Sequence, residues 1–136
     1  MTGISAYGAY IPTTRLPFAL IQGRPPKEGG PEKAVAYYDE DAITMAVAAA
    51  IDCLGGLDRA CVDAVYFAST SYELREKQGA ALIAKALDLR RDVLTSDHAG
   101  SLRAGTGALE AGLNAVKAGA ARHALVIASD CRMGAP

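Results

Sequence analysis

Asp92-Val93-Leu94-Thr95-Ser96-Asp97, followed by His98-Ala99-Gly100 and then Ser101-Leu102-Arg103-Ala104-Gly105-Thr106, reads as a short strand, a turn and the opening of a long helix. A junction of this kind gathers unpaired backbone N–H groups and the positive end of the helix dipole at one point. A thiolate, an oxyanion or a phosphate is stabilised there. The fold and the functional question both turn on this stretch.

Downstream of it, Leu102, Thr106, Leu109, Leu113 and Val116 recur at spacings of four and three, which predicts a helix with that stripe as its core face. Leu102 then starts the stripe and fills the head of the helix with hydrocarbon. Lys117, Gly119 and Arg122 mark the helix end, and the continuous apolar run Ala124–Ala128 predicts a strand covered on both faces. Upstream, Val62–Ala68 predicts another buried strand that ends in Ser69-Thr70-Ser71. Polar residues just past the C-terminal end of a parallel strand occupy the usual place of ligand sites in α/β sheets, which marks Thr70. Between these strands, Gln78–Leu87 predicts a helix, and the exposed charges Glu73 and Glu76 read as solvated.

Asp39-Glu40-Asp41 precedes Ile43, Val47, Ala50 and Leu54 at helical spacing, and Gly55-Gly56 ends the pattern, so the acidic triplet reads as a helix cap. Nearer the N-terminus, Ile4–Ile11 predicts a first strand in which Gly8 lets another backbone come close. Residues 12–31, interrupted by Pro12, Pro17, Gly23, Pro25, Pro26, Gly29, Gly30 and Pro31, predict a long loop. The resulting order is strand, helix, strand, helix, strand, helix, strand. This is an α/β pattern, a mostly parallel sheet with helices on both faces.

Composition bounds the function. The chain has 136 residues and a formal net charge of −1, the size of one domain with no bulk attraction for nucleic acid or anionic membrane. No apolar run approaches the roughly 20 residues of a membrane span, and the N-terminus lacks a secretory pattern, so a cytoplasmic location is expected. The three cysteines, Cys53, Cys61 and Cys131, match no zinc or redox spacing and read as reduced thiols, with only Cys131 placed just after a strand. Gly100, Gly105 and Gly107 do not have dinucleotide spacing, and His98 and His123 are too dispersed for a metal site.

Several segments in order carry a resemblance. Gly3–Pro12, Glu32–Val35, Asp39–Val47, Ala64-Val65-Tyr66, Arg103-Ala104-Gly105-Thr106 and Ala128-Ser129-Asp130 resemble the N-terminal half of 3-hydroxy-3-methylglutaryl-CoA synthase, above all its archaeal and bacterial forms. The resemblance covers nearly the whole chain and implies the thiolase superfamily, beside β-ketoacyl synthase III. It implies residues 1–136 as a single N-terminal half-fold whose C-terminal counterpart is absent. It also implies an acyl-CoA thioester as substrate or ligand, no cofactor, and no metal. The partners it implies are a second copy, or a hetero-complex with a C-terminal half, a thiolase and a zinc-ribbon/OB-fold protein.

Enzymes of this kind attack an acyl-CoA with a cysteine at the start of the third helix. Aligned on Arg103-Ala104-Gly105-Thr106, the resemblance puts Leu102 at that nucleophile position. Aligned on the segment from Tyr66, it puts Thr70 where a glutamate serves as general acid/base. The expectation is a condensing-enzyme homologue that is non-catalytic as it stands, with Ser101 and Cys131 as weak substitute nucleophiles and His98, Arg103, Gly105 and Thr106 as substrate-binding candidates. The alternative is an active acyltransferase, completed by a separate C-terminal chain.

Overall fold

The computed structural model describes residues 2–74 and 76–132. Its elements in order are β1 (Arg15–Pro17), α1 (Phe18–Ile21), β2 (Glu32–Ala34), α2 (Ala42–Cys53), a short 3-10 turn (Arg59–Cys61), β3 (Ala64–Ala68), α3 (Gly79–Ala86), β4 (Leu94–His98), α4 (Ala104–Lys117) and β5 (Ala124–Ala128). β4, β3 and β5 form a parallel sheet with β3 in the middle, in register from Ala64 opposite Leu94 and Ala124 to Ala68 opposite His98 and Ala128. Every residue of β3 is buried, as a strand covered on both faces requires.

The sheet has two different cores. On one face Val65, Phe67, Leu125 and Ile127 pack with Met45, Ala46 and Ala50 of α2 and Ala80, Ile83 and Ala84 of α3. On the other, Ala64, Tyr66 and Ala68 meet Ala104 and Ala108 of α4. Asp41 begins α2 with a capping box: its carboxylate accepts the Thr44 N–H at 2.7 Å, and the Thr44 hydroxyl accepts the Asp41 N–H at 2.7 Å. Of the acidic triplet, Asp41 therefore does the capping that its position suggested, whereas Glu40 accepts the Tyr37 N–H at 2.6 Å. Asp97 of β4 similarly accepts the Gly79 and Ala80 N–H groups at 2.6 and 2.7 Å, which ties the head of α3 to the sheet. Asp63, just before β3, accepts the Arg122 and His123 N–H groups at 2.8 and 3.2 Å and pins the approach to β5.

Three expectations need correction. Ile4–Ile11 forms no strand: an apolar groove of about 360 Å3 separates residues 2–8 from β5, and Tyr7 is 91% exposed. Strand propensity is satisfied only where an adjacent edge comes within hydrogen-bonding distance. The anticipated close approach at Gly8 is present all the same, since a Cβ there would lie 2.7 Å from the Ala49 carbonyl of α2. Residues 12–31 are not structureless either. They hold β1 and α1, and β1 pairs antiparallel with β2, Arg15 opposite Ala34.

The third correction concerns α4. Ser101, Leu102 and Arg103 lie in the turn before the helix, and Leu102 is 85% exposed, so it begins no core stripe and fills no buried space. The face turned to the sheet carries Ala104, Ala108 and Gly112, whereas Leu109 is 40% exposed. Proximity is the physical reason: a Cβ at Gly112 would stand 2.7 Å from Val126 Cγ2, so the helix lies too close to the sheet for leucine. Leu109, Leu113 and Val116 border the groove beside β5.

Candidate functional site

The two ends of the central strand pair differ chemically. At their C-terminal ends, where β3 and β5 run out beside the head of α4, a cleft of about 260 Å3 is lined by Ala68, Ser69 and Thr70, by Ala128, Ser129 and Asp130, and by Leu102, Ala104 and Gly105. This is where a parallel sheet presents its loops to a ligand. The larger groove beside β5 has a mostly hydrocarbon lining and gathers no comparable polar cluster.

Asp130 organises the cleft. Its Oδ1 accepts the Thr70 N–H at 2.6 Å, the Ser71 N–H at 3.0 Å, the Ser71 hydroxyl at 3.0 Å and the Ser69 hydroxyl at 3.1 Å. Its Oδ2 accepts the Thr70 hydroxyl at 2.8 Å. Burial alone would raise this carboxyl, but the hydrogen bonds from the Thr70 N–H and from the hydroxyls of Thr70, Ser71 and Ser69 outweigh it and hold the group below the usual carboxylate range. Arg132 completes the cluster, with Nη2 donating to Thr70 Oγ1 at 3.1 Å and lying 3.9 Å from Asp130 Oδ2.

Thr70 and Leu102, separated by a helix and a strand in sequence, line the same cleft, and Gly105 lines it with them. The other sequence candidates lie elsewhere. The Ser101 hydroxyl is exposed and accepts the Arg103 N–H at 3.1 Å. Arg103 is exposed at the N-cap of α4, and Thr106 is exposed in its first turn. His98 ends β4 with its ring 5.9 Å from that of Tyr66, and its Nε2 is buried with no partner among the described residues. Cys131 is buried in the core on the α2 and α3 side, its Sγ 3.8 Å from the Glu40 carbonyl. Burial, then the charges of Glu73, Asp41 and Glu40, push its thiol up, the wrong direction for a nucleophile at neutral pH.

Reading for reactive groups in sequence passed over Asp130 and Arg132. A signal was present: Ser69-Thr70-Ser71 and Ser129-Asp130 each follow an apolar strand directly, so a parallel pairing of the two strands brings both to one end.

No protein-family model matches the chain. It is 35% identical to the hydroxymethylglutaryl-CoA synthase of Methanocaldococcus jannaschii over 146 aligned residues, which cover 100% of this chain and 42% of that protein. Among solved structures, the β-ketoacyl-[acyl carrier protein] synthase III of Thermus thermophilus superposes with a TM-score of 0.76 at 27% identity, covering 90% of this chain and 41% of that one. MvaS in complex with 3-hydroxy-3-methylglutaryl coenzyme A gives a TM-score of 0.76 at 23% identity, over 88% of this chain and 31% of that one, a likeness of fold. The chain thus spans less than half the length of these proteins.

Sheet order, helix placement and the cleft at the strand ends define a thiolase-like α/β half-fold of the condensing-enzyme class. Within that class its sequence is similar to the hydroxymethylglutaryl-CoA synthases over less than half of their length, which supports a hydroxymethylglutaryl-CoA synthase-like N-terminal half.

Proposed function

We propose that this chain is an acyl-CoA-binding or structural member of the condensing-enzyme family that does not itself form an acyl-enzyme. The observation that carries this reading is the cleft lined by both Leu102 and Thr70. At the position the resemblance assigns to the nucleophile stands a side chain with no lone pair, and at the acid/base position stands a hydroxyl bonded to Asp130. Nucleophilic catalysis needs an activated attacking atom and a proton carrier in contact with the reacting group, and these two residues supply neither. The nearby alternatives are poorly set. Ser101 does not line the cleft and Cys131 is held in the opposite core.

The ligand expected is a coenzyme A thioester. The role is that of a subunit in the cytoplasm, as a homodimer or in a complex with a C-terminal half, a thiolase and a zinc-ribbon/OB-fold protein. No described helix is long and apolar enough to cross a membrane.

Incubation with acetyl-CoA, followed by intact-mass analysis and calorimetric titration, tests the reading. Saturable binding with an unmodified mass is expected. A stable acyl adduct that disappears on Ser101→Ala or Cys131→Ala would overturn it in favour of an active acyltransferase. Size measurement of the protein alone and co-expressed with its neighbouring genes tests the assembly.

A further inference from the structure

We propose that Asp130 sets the hydrogen-bond polarity of the cleft: it takes the hydroxyl protons of Ser69, Thr70 and Ser71, so that Thr70 meets a ligand with a lone pair, and the site selects ligands that donate a hydrogen bond at that point. This rests on the reading of the cleft as an acyl-CoA site and names the kind of ligand it prefers, a short chain bearing a hydroxyl.

The argument is one of donor and acceptor inventory. An ionised carboxylate accepts and never donates, so hydroxyl oxygens at 3.1, 2.8 and 3.0 Å from the Asp130 oxygens must each point a proton at them. Ionisation at neutral pH follows from the donors crowded on Oδ1, which keep the carboxyl below its ordinary range. A guanidinium only donates, so the Arg132 contact at 3.1 Å places a second proton on Thr70 Oγ1. That oxygen has then given its own proton to Asp130 and received one from Arg132. One lone pair remains for a ligand. Ser69 is 4% exposed and fixed in the same arrangement, so the wall does not re-orient without losing bonds to a charge. The remaining lining from Ala68, Ala104, Gly105 and Ala128 is small and apolar, which leaves room for a short chain beside the polar wall.

Two thioether analogues separate the possibilities, S-(2-hydroxypropyl)-CoA and S-(2-oxopropyl)-CoA, which match in length and differ by a hydroxyl that can donate against a carbonyl that only accepts. Calorimetric titration of the wild-type protein should show the hydroxyl compound binding tighter by on the order of tenfold. In Asp130→Asn the amide oxygen can keep the donors now on Oδ1, while the amide NH2 takes the place of Oδ2 and donates to Thr70. Thr70 then turns its own proton outward, and the preference should collapse toward parity. Thr70→Val removes the lone pair altogether and should erase the preference as well, which keeps the test available if Asp130→Asn does not fold.

Carbon-detected NMR titration supplies a readout without ligand: the Asp130 carboxyl should titrate below the ordinary aspartate range and move up in Thr70→Val. An ordinary midpoint in the wild-type protein overturns the proposal. So does equal affinity for the two thioethers in a protein that binds acetyl-CoA, or an unchanged ratio in Asp130→Asn. Failure of acetyl-CoA and of both thioethers to bind overturns the acyl-CoA-binding reading and the ligand preference with it, and leaves the structural role.

Discussion

Gly112→Ala is the sharpest probe of how α4 is seated. In an isolated helix the change should help by up to about 1 kcal/mol, because alanine is the better helix former. Here the new Cβ would stand 2.7 Å from Val126 Cγ2, 3.6 Å from Tyr66 Cδ2 and 3.7 Å from the Ala124 Cβ. Only the first contact is closer than atoms tolerate, but Val126 is part of β5 and its branched side chain is stiff. Overpacking of a well-filled contact costs about 1–3 kcal/mol, so the net change should be a destabilisation of about 0–2 kcal/mol.

Gly107→Ala is the matched control, since its Cβ would meet only His98 Nδ1 at 3.8 Å, an ordinary contact, and it should stabilise by up to about 1 kcal/mol. Urea unfolding of the two variants should therefore differ by about 1–3 kcal/mol. Val126→Ala in the Gly112→Ala background should recover part of the loss, as a double-mutant cycle with coupling of about 1 kcal/mol. If Gly112→Ala stabilises as much as Gly107→Ala, or the cycle shows no coupling, α4 does not lie against β5 as described.

Other consequences are smaller in scope. Leu102→Cys places an exposed thiol at the turn into α4, and it should alkylate faster than Cys53 by on the order of tenfold, because burial and the Asp52 charge push the Cys53 thiol up; competition alkylation with peptide mapping reads this, and an unreactive introduced thiol would show that the helix head is not at this turn. Asp63 is held below its ordinary value first by the Arg122 N–H and then by the His123 N–H, so its contribution to stability is present above the unfolded aspartate value and is lost as pH falls through the lowered folded one. Asp63→Asn should flatten the acid side of the stability-against-pH curve, and an unchanged slope would refute the contact. Asp41→Ala removes the capping box of α2 and should cost about 1 kcal/mol in chemical denaturation.

The sequence was most legible where one local rule decides the outcome. β5 has the boundaries that its apolar run predicts, Asp41 caps the helix it precedes, and Gly8 sits where a second backbone comes close. It was least legible where distance between elements decides. The leucines of α4 have the spacing of a core face, but periodicity gives only which residues share a side, and a helix against a sheet at Gly112 distance buries the alanine side instead. Ile4–Ile11 has strand composition, yet pairing depends on an adjacent edge that periodicity does not report. The cleft fell between these cases. Thr70 was marked by its place past the end of β3 and Leu102 was reached through the resemblance, whereas Asp130 acts as an acceptor for another strand's loop, a role visible only once the parallel pairing of β3 and β5 is known.

Constraints on folding and on chemistry fall on different residues of this site. Asp63 and Asp130 grip β3 and β5 from opposite ends, one through the backbone before β5 and the other through the backbone after β3. Removing either would take the acceptor from two backbone N–H groups, so the strand ends, including the cleft wall at Thr70 and Ser71, are held by bonds that also serve stability. Leu102 is different, because a side chain 85% exposed in the turn before α4 supports neither core. A change at that position would cost the fold little, since surface substitutions away from caps and cores shift stability by about 0.5 kcal/mol or less. A nucleophile there can therefore be present or absent without altering the cleft that surrounds it, so the shape of the cleft follows from folding constraints whether or not the chain does chemistry.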